Sequence, residues 1–359
     1  MVLPMKKSCL WFALTLFVAV AAAPALAGPA KASVITPNTR VNTTIAGVRG
    51  FPSLAALGDG GYLVTWENAL DDSYSDVYQQ RYAASGTKMG VEAQVNAHAP
   101  GPQGLSAVTT LGDGGWLVTW QRDLEVGSDS GAYQQDDWDS DVYQQRYAAS
   151  GAKVDVESQV NTTENGDQTS PTATALVDGG WLVTWRSDPQ DGSDWGIYQQ
   201  RYAASGAKVG GEIQHSTTEN SDKDLPAVTA LTDGGWLVTW QSERQEGEGL
   251  SVDIYQQRYA VSGAKEGIET RVNTTTSGNQ SGCGVTALAD GGWLVKWKSD
   301  LPDRSDRGIY QQRYALSGGQ DGRRDAGQYR HKLQNHHARR FIHHGSYLSG
   351  GWRLGSNME

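Results

Sequence analysis

The chain has 359 residues with 44 glycines and 13 tryptophans but only four phenylalanines and four methionines, which suits many tight turns and a few large rings rather than a helical core. The formal net charge of −10 hides a split: residues 28–317 carry 21 basic and 37 acidic side chains, net −16, whereas residues 318–359 carry seven basic and three acidic. That balance excludes nucleic acid and anionic membrane surfaces as partners of the body and permits divalent cations.

Lys6 and Lys7, an apolar run over 9–23 and Ala25-Leu26-Ala27 ahead of Gly28 predict a secretory signal over residues 1–27, with an uncleaved anchor as the alternative. The run is short for a membrane span. The mature chain is expected to be secreted or held at the cell surface, monomeric and without a membrane span. Cys9 leaves with the signal, so Cys283 remains alone and no internal disulfide can form. Residues 28–37 read as a linker.

From residue 38 the chain repeats. DGGYLVTW begins at Asp59, DGGWLVTW at Asp113, Asp178 and Asp233, and DGGWLVKW at Asp290; the second glycines lie 54, 65, 55 and 57 residues apart. YQQRY keeps step from Tyr78, Tyr143, Tyr198, Tyr255 and Tyr310. Periods of this length signal propellers, solenoids or arrays. In the third copy, 172–176, 181–185, 197–202 and 209–214 read as strands a, b, c and d, rich in Val, Ile, Thr, Trp and Tyr and separated by Asp-Gly-Gly, an acidic loop and Ser-Gly. Four-stranded meanders in series predict an all-β propeller of about five blades over 38–317, rather than β-helix rungs or separate sandwiches. Arg40-Val41-Asn42-Thr43 matches the d segments at 94–96, 159–161 and 271–273, while the fifth copy ends at Tyr314 without one. The N-terminal strand is therefore expected to complete the last blade and close the ring. Residues 318–359 form a His/Arg-rich tail, with five of the seven histidines between His331 and His344; Gly351 lies 59 residues beyond Gly292, so the tail reads as a decayed sixth repeat or as a metal-binding tract.

The blocks VTALADGGWLV, IYQQRYAASGAK and QVNTT resemble the tandem repeats of large secreted or surface proteins of bacteria, of the hemolysin-type calcium-binding and adhesin-like group. The resemblance covers residues 40–317 and implies an extracellular repeat module. The glycine-aspartate nonapeptide of that group's calcium-binding rolls is absent from this chain.

The a-b and c-d turns are short and nearly identical, whereas the b-c connections, 67–76, 121–141, 186–194, 241–253 and 298–306, differ in every copy and would share one face. Binding surfaces are usually built from such loops. Asp188, Asp191 and Asp194 recur as Asp300, Asp303 and Asp306, a spacing that could bring three carboxylates around calcium or could be solvated turn residues. The paired tryptophans of the b strands, four residues apart, should be buried between blades. Trp138 and Trp195 lie in the variable loops and are the candidate stacking platforms for a ligand. Cys283 reads as an inert substitution. No nucleophile elbow or Ser-His-Asp grouping is present, and the acids recur in equivalent loops. The reading that follows is a non-catalytic extracellular binding or adhesion module for a glycan or protein ligand; the alternative is a glycan-cleaving glycoside hydrolase, which needs two carboxylates at a defined separation.

Overall fold

The structure, a computed structural model, describes residues 38–43, 47–71, 74–97, 101–125, 138–163, 166–188, 195–215, 221–243, 251–275, 277–300 and 307–316. The expected signal, linker and tail fall outside the described residues. All regular structure within them is antiparallel β, in five sheets. Blade 1 contains β1 (Val48–Ala56), β2 (Tyr62–Asp71), β3 (Tyr74–Tyr82) and β4 (Lys88–Gln94), and blade 2 contains β5 (Gln103–Thr110), β6 (Trp116–Glu125), β7 (Trp138–Tyr147) and β8 (Lys153–Gln159). Blade 3 contains β9 (Gln168–Ala175), β10 (Trp181–Ser187), β11 (Gly196–Tyr202) and β12 (Lys208–Gln214); blade 4 contains β13 (Lys223–Ala230), β14 (Trp236–Glu243), β15 (Val252–Tyr259) and β16 (Lys265–Arg271). Blade 5 has three strands, β17 (Asn279–Ala287), β18 (Trp293–Asp300) and β19 (Arg307–Tyr314).

Each Asp-Gly-Gly turn uses its three residues differently. The first glycine lies in the left-handed region, at φ 82° for Gly179, which costs glycine nothing sterically. The second is required by close approach, because a Cβ on Gly180 would stand 2.2 Å from the Tyr202 carbonyl oxygen. The aspartate accepts the second glycine's N–H, 2.9 Å from Gly180 N to Asp178 Oδ1. Gly180→Ala is therefore expected to force the a-b turn off the end of β11 and to destabilise the fold by about 3 kcal/mol, read as a lower urea midpoint.

The conserved-looking words of the repeat are joints between blades. Trp116, Trp181, Trp236 and Trp293 donate their indole N–H to Gln79, Gln144, Gln199 and Gln256 of the preceding blade at 3.0–3.1 Å. The arginine of the same preceding blade covers each indole, with guanidinium-to-ring distances of 5.4–5.9 Å. Buried aromatics thus keep their polar atoms satisfied while filling each joint. The first strands of successive sheets face one another, β1 against β5, β5 against β9, β9 against β13 and β13 against β17.

Among the described residues the succession of blades is not closed: residues 38–43 carry no strand, and blade 5 has three. The cost shows at Ile309 of β19, 44% exposed, whereas its counterparts Val77, Val142, Ile197 and Ile254 are fully buried. The segment around Val41 is instead anchored on blade 1: Lys88 Nζ donates to Val41 O at 2.6 Å and Thr43 N to Glu92 Oε2 at 2.6 Å.

Candidate functional site

The variable connections begin where each first strand kinks. Phe51, Leu105, Ser170 and Leu225 adopt φ of 47–54°, and Gly282 adopts 64°, at a register shift in every blade. Non-glycine residues there are strained, and such strain persists only when the surroundings over-determine it. At the first joint the surroundings include an acid: Leu105 N–H donates to the Glu67 carboxylate. At the last, Gly282 N–H donates to Gln241 Oε1 at 3.2 Å. Glu67, Gln121, Arg186, Gln241 and Lys298 occupy one column, directly after the second tryptophan of the b strand, so the acid occurs once in five.

Glu67 lies against Gly104 of the next blade, where a Cβ would come within 2.3 Å of Oε2. The Ser75 hydroxyl, within reach of the same carboxylate, is 3.0 Å from Gln103 O. Burial pushes the Glu67 carboxyl above the ordinary glutamate value, and the nearby Asp123 charge pushes it the same way, against the hydrogen bonds from Ser75 and Leu105.

The second blade repeats the serine and changes the acid. Ser140, aligned with Ser75, donates to Asp123 Oδ1 at 2.7 Å, and its own N–H donates to Asp167 Oδ1 at 3.2 Å. Gln121 Nε2 also donates to Asp123, at 2.8 Å. Burial raises the carboxyls of Asp167 and Asp188; Asp123 and Asp188 add to the first, Asp139 and Asp222 to the second. Blades 1 to 3 thus bring Glu67, Asp123, Asp167 and Asp188 to the face of the variable connections.

The sequence-predicted residues fall partly on this ground. Trp195 is half-buried at the start of the third c strand, with the Arg186 guanidinium 3.6 Å from its ring centroid, so one face is covered. Trp138 begins β7, its backbone paired with Glu125. Asp188 and Asp300 stand at corresponding places in blades 3 and 5, while Asp191, Asp194, Asp303 and Asp306 lie outside the described residues. Asp300 faces two cations, with Lys298 Nζ 2.6 Å from Oδ2 and Arg307 Nε 3.4 Å from Oδ1. Among the described residues, no three His, Cys, Asp or Glu side chains converge as a metal site. Cys283 lies inside β17, its Sγ 3.3 Å from Leu225 O, and burial raises its thiol to about 11. An un-ionised thiol is a poor nucleophile.

No protein-family model and no curated protein matches the chain. Solved structures do match. One is a protein of unknown function from Dyadobacter fermentans, with TM-score 0.54 and 12% identity over 80% of this chain and 83% of that one. Another is the NanB sialidase from Streptococcus pneumoniae, with TM-score 0.51 and 9% identity over 84% of this chain and 63% of that one. An α-L-arabinofuranosidase from Lactobacillus brevis follows at TM-score 0.43 and 12% identity, over 75% and 91%. The architecture is that of a β-propeller. At these identities the likeness is one of fold.

The comparison corrects the expected function. One match with a named activity and a TM-score above 0.5 is a sialidase, of whose length the chain spans less than two thirds; the expectation of a non-catalytic binding or adhesion module that is not an enzyme is therefore not kept, and the glycan-cleaving alternative is taken up as a proposal. The acids do not recur in equivalent loops: β2 continues through Asp71 and β3 starts at Tyr74, so most of 67–76 is paired strand. The same holds for Asp123, on β6, and Asp139, on β7. Polar residues continue the strands there because inter-strand bonds and the neighbouring blade satisfy them. The signal that could have singled out Glu67 is its column, which holds an acid in one copy and Gln, Arg, Gln and Lys in the others.

Proposed function

We propose that the chain is an extracellular glycan-cleaving hydrolase whose acid and base are Glu67 and Asp123, carried on a propeller whose ring is closed by its own N-terminal strand. The observation that carries the reading is the Glu67 carboxyl: unique in its column, half-buried, seated on Gly104 and raised by burial beside a second carboxylate. A raised carboxylic acid beside a second carboxyl group is the pairing that glycosidic cleavage needs. Glu67 would give its proton to the leaving oxygen as the bond to the anomeric carbon breaks. Asp123, held by Ser140 and Gln121, would take a proton from the water that attacks that carbon. Trp195 and Arg186 of blade 3 supply an aromatic and cationic wall on the same face.

Ring closure rests on repeated contacts. Lys153, Lys208 and Lys265 donate to Val95 O, Val160 O and His215 O as Lys88 does to Val41 O, all at 2.6–2.7 Å. Ala97 N and Thr162 N meet Glu157 and Glu212 as Thr43 N meets Glu92. Val41 thus takes the place that follows a d strand, and the d strand it follows is the one blade 5 lacks. Reducing-end release from a glycan panel by the mature protein, compared with Glu67→Gln, tests the catalytic reading.

A further inference from the structure

The joint between blades 3 and 4 departs from the others at one position. Strands β4, β8 and β16 lead into Val95, Val160 and Val272, buried against the next blade, whereas β12 leads into His215, also fully buried. His215 Nδ1 lies 2.9 Å from Tyr259 Oη, and its ring meets Tyr259 edge-on and Trp240 at a centroid distance of 6.0 Å. Its Nε2 has no hydrogen-bond partner among the described residues. Trp240 Nε1 has none either, because Lys223 replaces the glutamine that receives the indole N–H at Gln103, Gln168 and Gln280. Lys223 Nζ turns instead to Ser221 O at 2.7 Å and Ser221 Oγ at 3.1 Å.

The charged groups around this joint favour a neutral ring. Lys265 of β16 donates to His215 O at 2.7 Å, with Glu269 of the same strand near Lys265 and Tyr259. Lys223 stands on β13. Neither ring nitrogen of His215 has a carboxylate partner among the described residues. A second ring proton would be a buried cation with an unsatisfied N–H.

We propose that this joint is an acid-operated latch, shut while His215 is neutral and parted between blades 3 and 4 when the ring takes up a second proton. Burial lowers His215 to about 3, with Lys265 adding to the effect. The unfolded chain binds that proton near the ordinary value of 6.5, so the joint's stability is complete above about pH 6.5 and is lost as pH falls from there towards 3. The same joint carries Lys223 N–H to Trp195 O at 3.1 Å and Arg186 facing Asp224 at 3.8 Å. Opening it would therefore loosen the Trp195 wall; only this consequence rests on the proposed catalytic function.

The test is urea unfolding of the full mature chain between pH 7.5 and 4.5, with His215→Val and, should that variant fold poorly, His215→Gln. The wild-type folding equilibrium should fall relative to the variant by about tenfold per pH unit below about 6.5, or about a hundredfold at pH 4.5. Hydrogen exchange at pH 4.5 should show β14 and the residues after β12 losing protection before the corresponding segments at Val95 and Val160. A wild-type-to-variant difference constant with pH, or equal loss of protection at all joints, would overturn the latch whether or not the chain cleaves glycans.

Discussion

Glu67→Gln is expected to lower turnover of a responsive glycan by about 10²- to 10⁴-fold, the usual contribution of a positioned general acid, with KM changed much less. Glutamine keeps the shape and can still accept the Leu105 N–H, as Gln241 accepts that of Gly282, so folding should be preserved and the loss should be chemical. In the wild type, activity should fall on the alkaline side as Glu67 ionises, at a pH above the ordinary glutamate value of 4.5 because burial raises the group. Asp290→Asn, which breaks an exposed pair with Arg313 at the a-b turn of blade 5, serves as the control and should leave turnover unchanged. Gly104→Ala tests the seat of the acid separately: its Cβ would displace Glu67 Oε2, lowering turnover while the carboxylate remains in the chain. Absence of reducing-end release from every glycan tried, or turnover that survives Glu67→Gln, refutes the assignment.

If the N-terminal strand closes the ring as proposed, removing residues 33–44 is expected to destabilise the fold by on the order of 3 kcal/mol, because Ile309 and the rest of β19 then lose the strand whose equivalent buries their counterparts in the other blades. The register is specific enough to lock. Gln79 pairs with Ala93, Gln144 with Ser158, Gln199 with Ile213 and Gln256 with Thr270, each partner two residues before the Val or His that follows the strand. Two residues before Val41 is Thr39, so Thr39→Cys with Gln311→Cys should oxidise to an intramolecular disulfide, and the oxidised protein should melt higher than the reduced one. Unchanged unfolding after the deletion, or cross-links only between molecules, would show that the arc stays open or that another chain supplies the strand.

Much of the blade was legible before any coordinates. Asp-Gly-Gly at a fixed offset from Leu-Val-Thr-Trp marks a turn between two strands, since only glycine meets both the left-handed φ of Gly179 and the close carbonyl above Gly180. The alternation that sets Trp181 and Trp185 on one side of β10 likewise announces their burial. In blades 1 to 4 the first glutamine of each Gln-Gln-Arg accepts the indole N–H of the next blade. These features are repeated, and repetition exposes a local rule because every copy must obey it.

The candidate site was less visible for the opposite reason. Reading the segments after the b strands as acidic loops gave the acids equivalent and solvated positions, whereas the strands run on and carry Glu67 and Asp123 into the joint between blades 1 and 2. Whether a carboxylate keeps its ordinary acidity depends on the neighbouring blade, through Gly104, Leu105 and the charge of Asp123. The sequence alone determined the five repeats, their turns and their strand order, because those follow from backbone sterics and side-chain period within about 55 residues. Only the tertiary structure decided which acids are buried together, that His215 takes a valine's place in a joint, and that Ile309 stands uncovered at the last blade. Burial and charge coupling are set by contacts between blades, and no single repeat contains both sides of such a contact.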